Sequence, residues 1–481
     1  MKLSTLLAHN VEIDVDIAGL TADSRAVKPG FLFAALKGVN SDGAQFIPQA
    51  EAAGAAAILC GEKVSANVPV FVVDEPRQSL AYMAARFYPR QPEFIAGLTG
   101  TNGKTSTAQF ASQLWQMLGI HAGALGTLGV QSGDEKGGEF HLPLNHTTPE
   151  PVTLHHALDT VADWGCTHLA MEVSSHGLAQ FRADGVNFNV AAFTNITQDH
   201  LDYHPDFDDY FAAKQRLFVE LLPKDATAIL NADGEGAQSL ETTLKDRPVK
   251  VVSTGQAGKD IEIKTVMASP DGLDLTVKAE GRIYSVSLPL VGAFQAENAL
   301  LAAGIVIASG HSPAAVLPLL ARLKGVNGRM MRAGTKNGAG IYVDYAHTPD
   351  AVETALSAAR PHTKGRLIAI IGAGGDRDAG KRALMGKAAH LTADYVIITD
   401  DNPRTEDPEK IRSQIKAGAP DGEIIGDRAK AISTAIAMLS AGDVLMILGK
   451  GHETGQIVGN QVLPFDDAAE VAKCVETING G

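Results

Sequence analysis

Short runs of apolar residues alternate along the chain with longer segments in which apolar positions recur every three or four residues. The runs FIAGLTG, HLAMEVS, NVAAFTN and ATAILNA have the length and content of buried strands, whereas TSTAQFASQLWQML has the period of a helix. Continuous apolar strands that are each followed by a helix are typical of parallel sheets covered on both faces. The pattern therefore predicts an α/β fold with largely parallel sheets.

Two segments rich in proline and glycine interrupt this pattern, at YPRQPEF around residues 89–92 and at LKGVNGRM around residues 325–328. Such segments mark turns and linkers. They predict three domains, of residues 1–92, 93–325 and 326–481. The first is a smaller α/β domain, and the last repeats the strand-loop pattern at IYVDYAH, LIAIIGAGG, YVIITDDNP and VLMILGKG.

Composition narrows the class of protein. Among 481 residues, Lys and Arg number 41 against 55 Asp and Glu, and the formal charge of −14 argues against nucleic acid as a partner. Cys60, Cys166 and Cys474 lie far apart and form no CxxC pair, which excludes a zinc ribbon and gives no disulfide framework. No segment resembles a signal peptide or approaches the roughly 18 apolar residues of a membrane span. We expect a cytoplasmic protein without a membrane span.

The segment Gly100-Thr101-Asn102-Gly103-Lys104-Thr105 follows a predicted strand and precedes a predicted helix. Glycines let backbone N–H groups converge on phosphate oxygens, a lysine adds a cation near the β- and γ-phosphates, and a threonine hydroxyl can bind Mg²⁺. The formal phosphate-loop pattern has glycine where this chain has Leu98, and an ordinary turn between strand and helix is the alternative. The Lys-Thr pair in this context favours nucleotide binding.

A carboxylate at the end of a neighbouring predicted strand is a candidate metal ligand. Glu172 ends the run HLAME, and ligands in open α/β sheets gather at the carboxyl ends of strands, although a lone acid there is more often a cap or an ion pair. Downstream, His200 and His204 could bind zinc, but no third soft ligand lies nearby and Mg²⁺ prefers oxygen. We interpret this segment as a polar active-site loop in which His200 is the better candidate for metal contact.

Lys214 lies in DFDDYFAAKQRLFVELL on the same predicted helical face as five apolar residues, namely Phe207, Tyr210, Phe211, Phe218 and Leu221. An ammonium there is costly unless the side chain reaches solvent, pairs or is chemically changed. Periodicity alone favours a lysine whose stem is buried and whose ammonium reaches solvent. A carbamate formed from CO₂ would instead give an oxygen ligand for a second Mg²⁺.

Two charged residues lie near the second domain boundary. Arg329 could reach the γ-phosphate of ATP and Asp344 the ribose or adenine, if the last domain closes over the nucleotide. An ion pair between domains explains them equally well.

The motifs together resemble the Mur ligase family of ATP-dependent amide-bond ligases over the whole chain. They occur in the family's order: Gly100 to Ser106, Glu172-Val-Ser-Ser-His, Asn195 to His204, Tyr210 to Lys214, Asn298, Gly328-Arg329-Met330 and Asp344-Tyr-Ala-His. Further segments resemble the members that add the third residue of the peptidoglycan stem peptide: Thr147 to Glu150, Ser174 to Leu178, Gly374 to Asp378, Asp401 to Arg404 and Gly449 to Glu453. The resemblance implies a uridine-nucleotide domain, a central phosphate-loop ATPase and a Rossmann-like amino-acid domain.

The resemblance also implies roles for individual residues. ATP would be bound by Gly100, Thr101, Asn102, Gly103, Lys104, Thr105, Ser106, Asn298, Arg329 and Asp344. The substrate UDP-N-acetylmuramoyl-L-Ala-D-Glu would be bound by Ser24, Thr147, Thr148, Ser174, Gln180 and Arg182. The incoming meso-diaminopimelate would be bound by Arg377, Asp401, Asn402, Pro403, Arg404, Gly449 and Glu453. Mg²⁺ would be bound by Thr105, Glu172, His200 and a carbamate on Lys214, and the catalytic residues would be Lys104, His200 and Lys214.

The reaction that the resemblance implies activates the D-glutamyl side-chain carboxylate as an acyl phosphate, which the amine of diaminopimelate then attacks. Diaminopimelate differs from lysine by a carboxylate, for which the planar fork of Arg404 is the suited cation. Without the family, DNPR is simply a turn with a solvated arginine. We expect a monomer that acts on small molecules.

The sequence departs from the family pattern in two places, and several alternative functions stay open. Gln295 stands where many relatives have asparagine, so no role is carried onto it, and the domain around Ser24 has few motifs. A lysine-adding or D-Ala-D-Ala-adding ligase or a folylpolyglutamate synthase would share the ATPase core. A non-catalytic nucleotide-binding regulator is the rival from another class, but the chain has no NKxD guanine motif.

Overall fold

The N-terminal part of the chain is built on four short parallel strands in sequential order. The computed structural model describes residues 1–8, 11–38, 41–133, 138–197, 203–269 and 272–479. The strands pair in parallel with their neighbours in the order β1-β2-β3-β4. The elements are α1 (Leu3–Leu7), β1 (Gly19–Thr21), β2 (Phe31–Ala35), α2 (Ile47–Ala52), β3 (Ala57–Cys60), β4 (Val70–Val72) and α3 (Pro76–Phe87).

The central part carries a larger, mostly parallel sheet. Its elements are β5 (Phe94–Thr99), α4 (Lys104–Met117), β6 (Ala122–Gly126), β7 (Gly129–Gly133), β8 (Glu139–Leu142), α5 (Pro151–Asp163), β9 (His168–Glu172), α6 (Ser175–Ala179), β10 (Val190–Phe193), α7 (Phe207–Arg216), β11 (Thr227–Asn231), α8 (Ala237–Leu244) and β12 (Lys250–Gly255). The strands lie in the order β12-β11-β10-β5-β9-β6-β7-β8, and only the pairs β6-β7 and β7-β8 are antiparallel. The four apolar runs that the sequence predicts as strands are β5, β9, β10 and β11, all buried and parallel.

The next elements are β13 (Ile261–Ser269), β14 (Gly272–Ala279), β15 (Arg282–Leu288), α9 (Phe294–Ala308) and α10 (Pro313–Val316). Strands β14 and β15 form an antiparallel pair. Helix α9 is almost uniformly apolar after its first turn, and its residues from Leu300 to Ile305 are buried. A helix that is apolar on all sides is a core helix rather than a surface helix.

The C-terminal part forms a six-stranded sheet in the order β16-β17-β21-β18-β19-β20, of which only β16-β17 is antiparallel. The elements are β16 (Met331–Lys336), β17 (Ala339–Asp344), α11 (Pro349–Ala359), β18 (Leu367–Ile371), α12 (Gly380–Thr392), β19 (Tyr395–Ile398), α13 (Pro408–Lys416), β20 (Glu423–Ile424), α14 (Arg428–Ala437), β21 (Val444–Leu448), β22 (Gly455–Val458), β23 (Gln461–Pro464) and α15 (Asp467–Asn479). The four predicted strands of this part are β17, β18, β19 and β21. Apolar clusters on both faces of this sheet form the core.

The chain divides into two compact units, Met1–Glu262 with Leu300–Val316, and Ile263–Ala299 with Leu317–Gly481. Residue 92 lies within the first unit and residue 325 within the second, so the predicted domain boundaries stay predictions. In the residues that the structure describes, no helix combines the length and the apolar content that crossing a bilayer requires.

Candidate functional site

A loop between β5 and α4 lies at the carboxyl edge of the central sheet. Leu98 pairs with Glu172 of β9 and with Ala192 of β10, so three strands end at the same edge. Gly100 (φ 147°) and Gly103 (φ 85°) have backbone conformations that favour glycine. A Cβ on Gly100 would also overlap the side chain of Thr194. The predicted succession of strand, glycine-containing loop and helix is present.

The loop is fixed by Asn195, which follows β10. Its carbonyl accepts from the N–H of Thr101 (2.9 Å) and its Oδ1 accepts from the N–H of Asn102 (3.0 Å). Lys104 folds back over the loop, and its Nζ donates to the carbonyls of Gly100 and Thr101, each at 2.8 Å. This places a cation inside the curve of the loop, where a phosphate group would be bound.

Glu172 lies directly beside the start of α4. Its Oε2 accepts a hydrogen bond of 3.0 Å from Thr105 Oγ1, and its Oε1 accepts one of 2.9 Å from the N–H of Thr127. The carboxylate is buried, and a Cβ on Gly126 would overlap it, so β6 must carry glycine at this position. Two predicted metal ligands are therefore neighbours, and both offer oxygen.

Lys214 is 1% exposed on α7, and its Nζ donates a 2.8 Å hydrogen bond to the carbonyl of Gly100. The ammonium also lies over the ring of Tyr210, 4.4 Å from its centroid. The expectation that it reaches solvent is wrong, because buried acceptors are available to it. Tyr210 is in turn connected to the loop, since its hydroxyl is 2.9 Å from Thr101 Oγ1.

The apolar stripe around Lys214 differs from the prediction at both ends. Phe207 begins α7 and is 37% exposed, so it is not a core residue. The regular helix ends at Arg216 and continues as one π-helical turn over Leu217–Leu221. Helix α7 still buries Tyr210 and Lys214 on one face, as the spacing predicts.

His200 lies outside the described residues, so its predicted contact with a metal stays a prediction. His204 is buried, its Nδ1 lies 2.7 Å from Asp209 Oδ2, and its ring packs near that of Tyr210. Across the described ranges, no three His, Cys, Asp or Glu side chains stand close enough together to hold a metal ion. A metal at this edge of the sheet would therefore rely on other oxygen donors as well.

Five of the six residues predicted to bind the muramoyl dipeptide form one connected group next to Glu172. Thr148 Oγ1 donates to the Glu172 carbonyl (3.2 Å) and accepts from the N–H of Ser174 (2.9 Å). Arg182 donates to the Thr148 carbonyl and to Gln180 Oε1. Thr147 Oγ1 is 3.0 Å from Thr127 Oγ1.

Ser24 is separate from this group, because its described hydrogen bond is to Gln49, within the N-terminal part. Sequence reasoning missed Thr127 and Gly126 entirely, and it placed Tyr210 only in the core. No local pattern marks these residues, because their role depends on strands that are distant in sequence.

The second compact unit contains a cavity of about 250 Å³ at the carboxyl edge of its sheet. Six of the seven residues predicted to bind diaminopimelate line it, and Pro403 does not. Its lining residues are Tyr345, His347, Gly374, Arg377, Lys381, Asp401, Asn402, Arg404, Gly449 and Glu453. Three loops at strand ends thus converge, as the sequence predicts. Tyr345, His347 and Gly374 lie in the quoted motifs but were assigned no ligand contact there, and sequence reasoning missed Lys381.

The backbone of Arg404 is held in a left-handed conformation (φ 51°) by strand β22. Its N–H donates to the Ile457 carbonyl (3.0 Å), and its carbonyl accepts from the N–H of Gly459 (2.7 Å). Its guanidinium donates to the carbonyl of Gly375 at 2.8 Å. The side chain is therefore directed into the cavity rather than solvated in a turn.

A buried network supports the acidic side of the cavity. Asn402 Nδ2 donates to Glu453 Oε2 (2.8 Å), and the buried Lys450 donates to Asn402 Oδ1 (3.1 Å) and to Glu453 Oε2 (3.2 Å). Burial raises the pKa of the Asp401 carboxyl, against the opposing effect of Arg428 and Lys450. Glu453 is thus fixed in position, with oxygen left to accept a ligand ammonium.

Asp344 ends β17 and binds two backbone N–H groups, those of Met330 (2.6 Å) and Ala346 (2.8 Å). Burial raises the pKa of its carboxyl. The Arg329 guanidinium lies over the ring of Tyr345, 4.9 Å from its centroid. The charge of Arg329 opposes this effect of burial on the pKa of Asp344, although no ion pair joins Arg329 to Asp344 in the described part of the second unit.

The first turns of α9 hold the last predicted nucleotide residue. Asn298 Nδ2 donates to Gln295 Oε1 at 3.3 Å, and both side chains are buried. Gln295, the residue that departs from the family pattern, therefore contacts the predicted ligand residue directly.

Three profiles of one family match the chain. Residues 16–88 match "Mur ligase family, catalytic domain", residues 98–306 match "Mur ligase middle domain", and residues 328–451 match "Mur ligase, glutamate ligase domain". The chain belongs to the Mur ligase family. Its mixed α/β fold with three such domains is that family's fold, and membership makes it an ATP-dependent ligase.

Individual relatives agree over nearly the full length. The UDP-N-acetylmuramoyl-L-alanyl-D-glutamate--2,6-diaminopimelate ligase of Bradyrhizobium diazoefficiens is 48% identical, with 98% of each chain covered. The protein of that name from Brucella melitensis biotype 1 is 50% identical, with 95% of this chain and 94% of the relative covered. A solved structure of a ligase of the same name has 31% identity and a TM-score of 0.74, with 100% of both chains covered.

Proposed function

We propose that the chain joins meso-diaminopimelate to the D-glutamyl residue of UDP-N-acetylmuramoyl-L-Ala-D-Glu at the expense of ATP, in peptidoglycan synthesis. The observation that carries this proposal is the cavity of the second unit. It combines Arg404 with Asn402 and Glu453, which are groups for a carboxylate and an ammonium on the same ligand. The names of the near full-length relatives support the same substrates.

ATP is proposed to bind through Gly100, Thr101, Asn102, Gly103, Lys104, Thr105 and Ser106, with Asn298, Arg329 and Asp344 as further contacts. The hydrogen bonds from Lys104 Nζ to the two loop carbonyls hold its ammonium in the loop. There it offsets the repulsion between the triphosphate and the substrate carboxylate. The stacked guanidinium of Arg329 has no hydrogen-bond partner on Nε among the described residues, which suits an anionic ligand.

The residues present fit Mg²⁺. Thr105 and Glu172 are adjacent oxygen donors. Gly126 of β6 has no side chain, which leaves room for the Glu172 carboxylate. We propose that these two residues, with His200, hold the metal. When bound, Mg²⁺ stabilises negative charge on the phosphate oxygens.

Lys214 is proposed to be carbamylated. Its ammonium first loses a proton to solvent, and the neutral amine adds to the carbon of CO₂. An N–C bond forms as one C–O π bond breaks, and the nitrogen loses a second proton, so that a cation becomes an anion. The carboxylate so formed is a further oxygen donor next to the Gly100 carbonyl, where Nζ lies. This modification accounts for a buried lysine beside the phosphate loop.

The reaction follows in two steps. An oxygen of the D-glutamyl side-chain carboxylate attacks the γ-phosphorus of ATP, and ADP leaves. The neutral amine of diaminopimelate then attacks the acyl carbon, phosphate leaves, and the nitrogen loses a proton as the amide forms. Thr147, Thr148, Ser174, Gln180 and Arg182 are proposed to hold the dipeptide for the first step, and Ser24 the uridine end.

Diaminopimelate is proposed to be held by both of its polar ends. Arg404 binds the carboxylate that lysine lacks, and Glu453 the neighbouring ammonium. Arg377 binds the other carboxylate. Asp401, Asn402, Pro403 and Gly449 shape and support this site.

Cys60 and Cys166 are buried free thiols. Cysteines that form no disulfide are typical of a reducing environment, which supports a cytoplasmic location. We further propose a monomer, with domains of residues 1–92, 93–325 and 326–481.

Phosphate release from ATP tests this proposal. The reaction contains Mg²⁺ and UDP-N-acetylmuramoyl-L-Ala-D-Glu, with meso-diaminopimelate, L-lysine or no amino acid. We expect release only with diaminopimelate. Phosphate release with lysine as the only amino acid would overturn the proposed specificity. No release with either amino acid would overturn the proposed activity.

A further inference from the structure

Lys381 is a charged residue that lines the cavity of the second unit and has no role in the proposed function. It is the second residue of α12, it is half-buried, and it lines the cavity beside Arg377. Among the described residues, no hydrogen bond or ion pair engages its ammonium. Arg382, the next residue, has a structural role instead, since it is buried and donates two hydrogen bonds to Glu406.

The acids around the cavity form no ion pair with Lys381 among the described residues. Three lining residues are cations and two, Asp401 and Glu453, are acids. Glu453 is already paired with Lys450, which does not line the cavity. The cavity therefore has a surplus of positive charge, which favours a ligand with more carboxylates than ammonium groups.

The environment of Lys381 supports the same conclusion. Burial lowers the pKa of its ammonium, against the opposing effect of Asp378 and Asp401, so burial makes its charge more costly. The charged and titratable groups that face it are Arg377, Asp378, Arg382 and Asp401, together with His347. Since no ion pair with either acid forms, an approaching carboxylate would relieve this cost.

The reactive form of diaminopimelate has the required charge. The amine that attacks must be neutral, so the bound molecule then carries two carboxylates and one ammonium, a net charge of −1. Arg404 and Glu453 account for the far carboxylate and the far ammonium. The near carboxylate, on the carbon that bears the attacking amine, needs a second cationic site.

We propose that Lys381 and Arg377 together bind the near carboxylate, and that Lys381 thereby positions the attacking amine and favours its neutral form. This inference rests on the proposed function. The ammonium of the bound substrate releases its proton to water before attack, and a nearby cation makes that release easier. Lys381 is in this sense a positioning residue.

Kinetics of Lys381→Met test the proposal, with Lys381→Arg as the conservative variant. Lys387→Met is the matched control, because Lys387 lies on the same helix but is exposed. We expect K381M to raise the KM for diaminopimelate about 10- to 100-fold, the range expected for loss of a charge-assisted hydrogen bond, with the KM for ATP and for the nucleotide substrate unchanged. The acid limb of its pH profile should move to higher pH. K381R should restore most of the affinity, and K387M should match the unaltered protein.

A substrate analogue identifies which carboxylate is involved. The monoamide of diaminopimelate at the near carboxyl lacks the charge that Lys381 is proposed to bind, so K381M and the unaltered protein should have the same KM for it. An unchanged KM for diaminopimelate in K381M, or a raised KM for ATP alone, would overturn the inference. Inactivity of the unaltered protein with diaminopimelate would instead overturn the proposed function.

Discussion

Thr105 Oγ1 donates a hydrogen bond of 3.0 Å to Glu172 Oε2, and this contact joins the first turn of α4 to the end of β9. The two residues are 67 positions apart in the chain. They meet because β5 and β9 pair in parallel with Leu98 opposite Glu172, and α4 starts directly after the loop that follows β5. A hydroxyl and a carboxylate are thereby placed side by side at the phosphate loop.

Glu172→Gln should lower kcat at least about 100-fold while the protein stays folded, because the amide keeps the shape of the carboxylate but loses the charge that a divalent cation requires. The Mg²⁺ concentration for half-maximal activity should rise as well. Steady-state kinetics over a range of Mg²⁺ concentrations measure both effects. Glu139→Gln, which changes an exposed acid on β8, is the control, and equal Mg²⁺ dependence of the two variants would argue against Glu172 as a metal ligand.

Lys214→Ala should abolish turnover, and bicarbonate should not restore it, because no amine remains to react with CO₂. Short-chain carboxylic acids should restore part of the activity by supplying the missing carboxylate. In the unaltered protein, ¹³C-bicarbonate should give a carbamate signal by NMR that is absent from the variant. Normal turnover of the alanine variant would disprove the carbamate proposal.

The buried parallel strands could be predicted because a strand that is covered on both faces needs apolar residues at nearly every position. Strands β5, β9, β17 and β18 are continuous apolar runs, as such strands must be. The antiparallel strands β7, β8, β14 and β15 are not continuous apolar runs, and β8, β14 and β15 expose polar residues. They were not predicted, because their pairing is set by the sheet. Lys214 was predicted as unusual because a charge on an apolar stripe is visible in a single helix.

The connections within the sites could not be predicted from local patterns. Thr127 binds Glu172, and Tyr210 binds Thr101, through contacts between elements 45 and 109 residues apart. The left-handed backbone of Arg404 depends on β22, which lies more than 50 residues further along the chain. Lys381 lies in the cavity because α12 begins at the edge of the sheet, which only the folded chain reveals.

Arg404→Ala should raise the KM for diaminopimelate by about 100-fold or more, because a bidentate, charge-assisted contact is lost from a partly buried cavity. The affinity for ATP should stay within about twofold, since the phosphate loop is untouched; Arg322→Ala, at an exposed position of the same unit, is the control. The Arg404 variant should use lysine no better than it uses diaminopimelate. Diaminopimelate dependence equal to that of the control would assign the selectivity to other residues.

Arg216 and Asp184 form a buried ion pair with two hydrogen bonds of 2.8 Å, and this pair connects α7 to the segment that carries Gln180 and Arg182. Arg216 also donates to the Leu178 carbonyl (3.0 Å), and its guanidinium lies 4.4 Å from the ring centroid of Phe181, whose φ is 57°. The pair therefore stabilises a strained turn between two proposed substrate residues.

Asp184→Asn should lower the free energy of unfolding by about 3 kcal/mol, because the buried guanidinium of Arg216 then keeps only the half-exposed Glu220 as a counter-charge. Glu220→Gln removes the other carboxylate that pairs with Arg216, but Glu220 is 55% exposed, so this matched control should cost no more than about 1 kcal/mol. Denaturant unfolding of both variants measures the difference. At temperatures where Asp184→Asn stays folded, its KM for the muramoyl dipeptide should rise while its KM for ATP does not, since the turn with Gln180 and Arg182 is loosened. Equal unfolding free energies for the two variants would show that the buried pair does not stabilise this segment.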